Sequence, residues 1–152
     1  MKIIGFTISG ISAERKAHKD KEKIEIKSNL NIEDIQKENV EFTKNDSLKF
    51  DFSYNIGYEP ELAAIKIKGS VIVMDDKDES KDILKEWKKK KFDHPLKIPL
   101  FNFIMNKCNI KTLQLEEELG LPFHMPMPQL ASQPIKDQNS NAPINPAANY
   151  TG

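Results

Sequence analysis

The chain has a single cysteine, a single tryptophan and six glycines among its 152 residues. One cysteine excludes an internal disulfide and makes a reducing cytoplasm the expected setting. No apolar run approaches the roughly 20 residues that a membrane-spanning helix needs. The stretch Met1-Lys2-Ile3-Ile4-Gly5-Phe6 is too short in its apolar part for a secretory signal and runs into charges. Excess charge is missing too, since 23 basic side chains balance 23 acidic ones. That balance excludes a generally basic, nucleic-acid-coating surface but leaves room for a local basic patch. There is no Gly-rich phosphate loop, no nucleophile elbow, no dinucleotide fingerprint and no internal repeat. Nothing here points to an enzyme.

What is present is pattern. From Leu48 through Phe50, Phe52, Tyr54 and Ile56 to Tyr58, every even position is apolar or aromatic and every odd one is polar or Gly. Period two over this length predicts a strand with one face on a core, as in an antiparallel sheet. A second alternating run, Leu62 to Met74, follows the connection Tyr58-Glu59-Pro60-Glu61. It places Ile65, Ile67, Gly69, Val71 and Val73 on one face and Lys66 and Lys68 on the other. The short connection predicts a hairpin or tight meander. Ile4, Phe6 and Ile8 give a further strand. Ile24, Ile26 and Leu30 give another, after a charged link from Glu14 to Lys23. Four antiparallel strands are the expected count. The stretch Ile32 to Phe42 is ambiguous, and Asn31 to Ile35 suits a short helical turn.

After Asp75 and Asp76 the period becomes helical. Ser80 or Asp78 can cap, and Ile83, Leu84 and Trp87 line one side. Lys88 to Lys91 sit at the C-terminal end, where cations complement the helix dipole. A second helix is expected from Pro99, with Leu100, Ile104, Cys108, Leu115 and Leu119 as its apolar stripe and Glu116 to Glu118 exposed. Phe101 and Met105 widen the stripe. An arc this wide implies burial on more than one side, and with it self-association into a homo-oligomer. Gly120 is placed to end the helix and Pro122 to prevent its continuation. Leu121 to Leu130 alternates prolines with large apolar groups and must be extended. The expected division is therefore an α+β domain over residues 1–130 and a polar tail over 131–152, too poor in apolar residues to fold alone.

Candidate chemistry is sparse. His18, His94 and His124 lie far apart, with no Cys or carboxylate at ligand spacing, so neither a metal site nor a cofactor is expected. Cys108 falls on the apolar stripe and reads as a small buried hydrophobe. The acidic run from Asp75 to Asp82 resembles the start of a calcium loop, but Lys81 stands where that loop needs Gly. Lys88, Lys89, Lys90 and Lys91 could form a basic contact for RNA, a ribosome or another phosphate-rich surface, but a solvated helix end is the favoured account of them. The proline-spaced segment after Gly120 either closes the core or borders a groove for extended apolar peptides.

The order of parts resembles a known family. Phe6-Thr7-Ile8 with Ile11 opens a strand, and Glu25-Ile26 and the Asn29 to Ile32 stretch follow. The hairpin Leu48–Tyr58 and Pro60–Met74 comes next, then a helix beginning Pro99-Leu100-Phe101-Asn102-Phe103. The domain closes on Leu121-Pro122-Phe123-His124-Met125-Pro126-Met127-Pro128. This resembles the SecB-like chaperone family, in a divergent, archaeal-type form. The resemblance implies four antiparallel strands on two C-terminal helices, with a proline-rich extended segment behind them. It also implies an ATP-independent holdase, acting in protein export or folding, that binds unfolded or nascent polypeptides in hydrophobic grooves and assembles as a dimer of dimers. The peptide-binding residues it implies are Phe50, Phe52, Tyr54, Phe101, Phe103, Ile104, Phe123 and Met125. Lys66 and Lys68 stand on the strand face where the family's bacterial members carry acids for docking the SecA motor, so that docking is not expected. The alternative reading is a non-catalytic or ribosome-associated adaptor of the same fold, with Lys88–Lys91 as its contact.

Overall fold

The alternation from Leu48 to Tyr58 becomes the centre of the architecture. In the computed structural model, which describes residues 1–17 and 23–128, that segment is β3 (Asp46–Glu59). A tight connection leads to β4 (Ala63–Asp75), with Phe50 opposite Val71 and Tyr54 opposite Ile67. β1 (Lys2–Arg15) pairs with β4, and β2 (Glu25–Glu38) pairs with β3. All pairings are antiparallel, in the spatial order β1-β4-β3-β2. Two helices follow, α1 (Lys77–Lys88) and α2 (Lys97–Leu119). The fold class is the α+β arrangement that the sequence led us to expect. The tail, 131–152, lies outside the described residues.

One face of the sheet carries the core. Leu48, Phe50, Phe52, Tyr54, Ile56 and Tyr58 of β3 and Ile65, Ile67, Val71 and Val73 of β4 are all buried. Each such large side chain contributes about 1.5–3 kcal/mol on leaving water. Both helices lie on this face, α1 towards β2 and β3, and α2 towards β4 and β1. Lys66 and Lys68 are exposed on the opposite face. Gly69 sits between Ile8 and Phe52 in the register. A Cβ there would lie 2.7 Å from Cζ of Phe52 and 2.3 Å from the carbonyl oxygen of Thr7. Only glycine lets the Phe52 ring cross the strand, where it stacks on Phe6 at 5.8 Å.

Four local expectations are corrected. The 31–35 stretch is strand, not helical turn. A bulge between Ile32 and Asp34 leaves Glu33 out of the backbone register with β3, so Ile32 and Ile35 face the core although they are three residues apart. That spacing mimics a helix. In β1 a bulge between Ile3 and Gly5 gives the inward position to Ile3 and leaves Ile4 exposed. The strand also runs on to Arg15, into what read as a charged link. In α1 neither Ser80 nor Asp78 caps. Asp76 holds the cap position without a side-chain bond, and Ser80 is buried on the inner side with Ile83.

The fourth correction concerns α2, which begins at Lys97, two residues before Pro99. Its buried ridge is Leu100, Ile104, Cys108, Thr112 and Glu116, one residue in every four throughout. Leu115 and Leu119, expected on the stripe, are only partly buried beside it. Glu116, expected in water, is fully enclosed.

Candidate polypeptide-binding surface

The end of α2 is built to turn the chain back on itself. Gly120 closes the helix at φ 62°, a left-handed conformation that glycine alone adopts without strain. The Leu121 N–H then donates to the carbonyl of Glu116 at 2.8 Å. From the end of β1, Arg15 Nη1 donates to the carbonyls of Leu119 and Gly120 at 2.6 and 2.7 Å. A cation on the last carbonyls complements the negative helix end. Leu121 is buried, and the strap that follows, residues 121–128, contains no regular secondary structure.

A buried polar network anchors that strap. Glu116 Oε2 accepts from the Tyr58 hydroxyl at 2.5 Å and from the His124 backbone N–H at 2.6 Å. Its Oε1 pairs with Nδ1 of the His124 ring. On the other side of the ring, Nε2 meets Asn109 Oδ1 at 2.9 Å. The Tyr54 hydroxyl donates to that same oxygen at 2.7 Å. Two sheet tyrosines, two α2 side chains and one strap histidine thus satisfy one another away from water, which is what makes a buried carboxylate tolerable.

With His124 turned inward, its neighbours face outward. Phe123 is 43% exposed, Met125 37% and Met127 46%. The outer side of α2 adds Ile98, Met105 and Ile110, all exposed. Of the residues expected at a peptide groove, Phe123 and Met125 are therefore at the surface. Phe101 and Phe103 are half-buried, with Phe103 edge-on to Phe6 at 5.8 Å. Phe50, Phe52, Tyr54 and Ile104 lie in the sealed core. They hold the domain together. Lys88 ends α1 and Lys89 to Lys91 follow it, all exposed, with Lys90 Nζ lying 4.9 Å from the Trp87 ring centroid.

Burial also sets the acid–base behaviour of this region. It pushes the Cys108 thiol from 9.0 up to about 11. It likewise pushes the Tyr54 hydroxyl from 10.0 up to about 12, and raises Tyr58 further with help from its hydrogen bond to Glu116. All three folded-state values lie above the unfolded ones, so their protonated forms stabilise the fold fully below about pH 9. Above it the unfolded chain releases protons that the folded chain retains, and stability falls as pH rises. The urea midpoint is expected to decline between about pH 9 and 12. Over the same window tyrosinate absorbance from Tyr54 and Tyr58 should appear together with the loss of sheet circular dichroism, not before it. At neutral pH, Cys108 is expected to react with thiol reagents only as fast as the protein unfolds.

Sequence reasoning missed the Tyr54–Asn109–His124–Glu116–Tyr58 network. One signal was available: Glu116 continues the four-residue spacing of Leu100, Ile104 and Cys108, with His124 beyond the helix stop to meet it. Among the described residues, no group of three or more His, Cys, Asp or Glu side chains is arranged to hold a metal ion. None of the described helices is long and apolar enough to cross a membrane.

No protein-family model matches the chain, and no curated protein does so. Among solved structures, the chain is similar to the SecB-like chaperone Rv1957 of Mycobacterium tuberculosis, in complex with a ChAD peptide from the Rv1956 HigA1 antitoxin. The identity is 11% and the TM-score 0.48, over 88% of this chain and 92% of that one.

Proposed function

We propose that this protein is a non-catalytic, ATP-independent holdase, SecB-like in its mode of action, which shields apolar segments of unfolded or nascent polypeptides. The observation that carries this reading is the strap. It is pinned by His124 in a buried network, yet presents Phe123, Met125 and Met127 to solvent. A segment that served only to close the core would turn its largest apolar groups inward. Methionine and aromatic side chains repack around different partners, which suits clients of unrelated sequence. Self-association belongs to the same reading, because Ile98 and Ile110 stand uncovered on the outer side of α2 among the described residues. A cytoplasmic setting also belongs to it, since Cys108 is a lone, buried thiol.

The test is suppression of aggregation of several unrelated, chemically unfolded proteins, without nucleotide. Near-stoichiometric protein is expected to hold back all of them. Failure with every client removes the holdase reading. Salt-sensitive co-sedimentation with ribosomes, lost when Lys88–Lys91 are replaced by Ala, would put the adaptor reading in its place.

A further inference from the structure

The charges of α1 fall into ridges of one sign. Lys77, Lys81 and Lys85 recur every four residues, and so do Asp78, Asp82 and Glu86. Like charges at this spacing repel along the helix face, whereas alternating signs would stabilise it. Opposite charges still stand at i,i+3, Asp78 before Lys81 and Asp82 before Lys85, while the two signs separate into a basic ridge and an acidic ridge. On the basic side, a cavity of about 380 Å³ opens between α1 and β2. Its apolar lining is Ile35, Leu84 and Trp87, and its remaining lining is Lys81, Lys85 and Lys88.

The cavity is held in shape from below. Ile35 is buried at its inner end, just past the β2 bulge. The Trp87 Nε1–H donates to Asp34 Oδ1 at 3.0 Å, which fixes the indole. Among the described residues, none of Lys81, Lys85 and Lys88 belongs to an ion pair. The site therefore offers an apolar well for one large side chain inside a rim of free ammonium groups. Its size lies within the range of ordinary ligand pockets.

We infer that this cleft docks an acidic polypeptide segment, with a large apolar side chain seated against Ile35, Leu84 and Trp87 and flanking carboxylates meeting Lys81, Lys85 and Lys88. The site shares no residue with the strap and stands independently of the holdase reading. It accepts an acidic linear segment of a partner protein whether or not the strap binds unfolded chains.

Trp87 is the chain's only tryptophan, so its emission reports on the cleft directly. The probes are three fluorescein-free synthetic peptides with one central Leu-Phe pair, flanked by glutamates, glutamines or lysines. The glutamate peptide is expected to shift Trp87 emission saturably and to bind about tenfold or more tightly than the glutamine peptide, with the difference shrinking at high salt. In a protein carrying Lys81→Glu, Lys85→Glu and Lys88→Glu, substitutions at exposed or rim positions, the order should reverse in favour of the lysine peptide. In Phe123→Ser protein the preference should be unchanged. Equal affinity for all three peptides, or no emission change with any, overturns the inference. A response to oleate but to no peptide overturns it too, because the cleft would then serve a lipid acid and not a polypeptide.

Discussion

Replacing Glu116 by alanine is expected to remove about 3–5 kcal/mol of folding stability. A domain of this size holds about 5–15 kcal/mol in all, so the variant will sit near the edge of folding at physiological temperature. The loss has a definite origin. One carboxylate serves the Tyr58 hydroxyl, the His124 backbone N–H and the His124 ring. Its removal leaves all three without their partner in a region where Glu116 itself has no exposure. Stranded buried donors cost the desolvation that their hydrogen bonds had offset. Glu116→Gln keeps one acceptor oxygen and should lose about half as much. Urea unfolding followed by circular dichroism measures both. A Glu116→Ala protein within about 0.5 kcal/mol of the parent would mean that the network does not hold the strap.

The strap's orientation follows from that anchor. Once His124 is turned towards Tyr54, Asn109 and Glu116, its neighbours Phe123 and Met125 are left exposed to solvent. The network therefore works on two links of the chain of cause at once. It satisfies polar groups under the sheet, and it fixes which apolar groups are left outside to meet something else.

How much of this could be read beforehand depended on whether a segment's period was kept intact. The β3–β4 hairpin was legible because Leu48 to Tyr58 and Ile65 to Val73 alternate without interruption. The second half of β2 was not, because one bulge residue, Glu33, shifts Ile35 into a spacing that imitates a helix. The first three residues of the α2 ridge were legible as apolar. Thr112 and Glu116 were not, since a polar residue is placed in a core only by partners from elsewhere, here Tyr58 and a histidine beyond the helix stop. The residues expected at a peptide groove divided for a related reason. Composition marks Phe50, Phe52, Tyr54, Ile104, Phe123 and Met125 alike as apolar or aromatic. Only the sheet's single covered face separates those sealed inside from those left out.

The proposed function rests on outward-facing apolar side chains of the strap, and those can be removed without touching the core. Phe123→Ser together with Met125→Ser deletes two half-exposed groups and leaves Leu121 and His124 in place. The thermal midpoint should stay within about a degree or two of the parent, because substitutions at exposed positions cost little. Binding to a client should fall, since burying the rest of each side chain against it contributes about 1 kcal/mol. The most direct measurement is an equilibrium titration of reduced, carboxymethylated α-lactalbumin, a permanently unfolded chain, with the parent and the double variant. The expected result is affinity lower by about ten- to thirtyfold in the variant with its fold intact; equal affinity for the two proteins would contradict the strap's role.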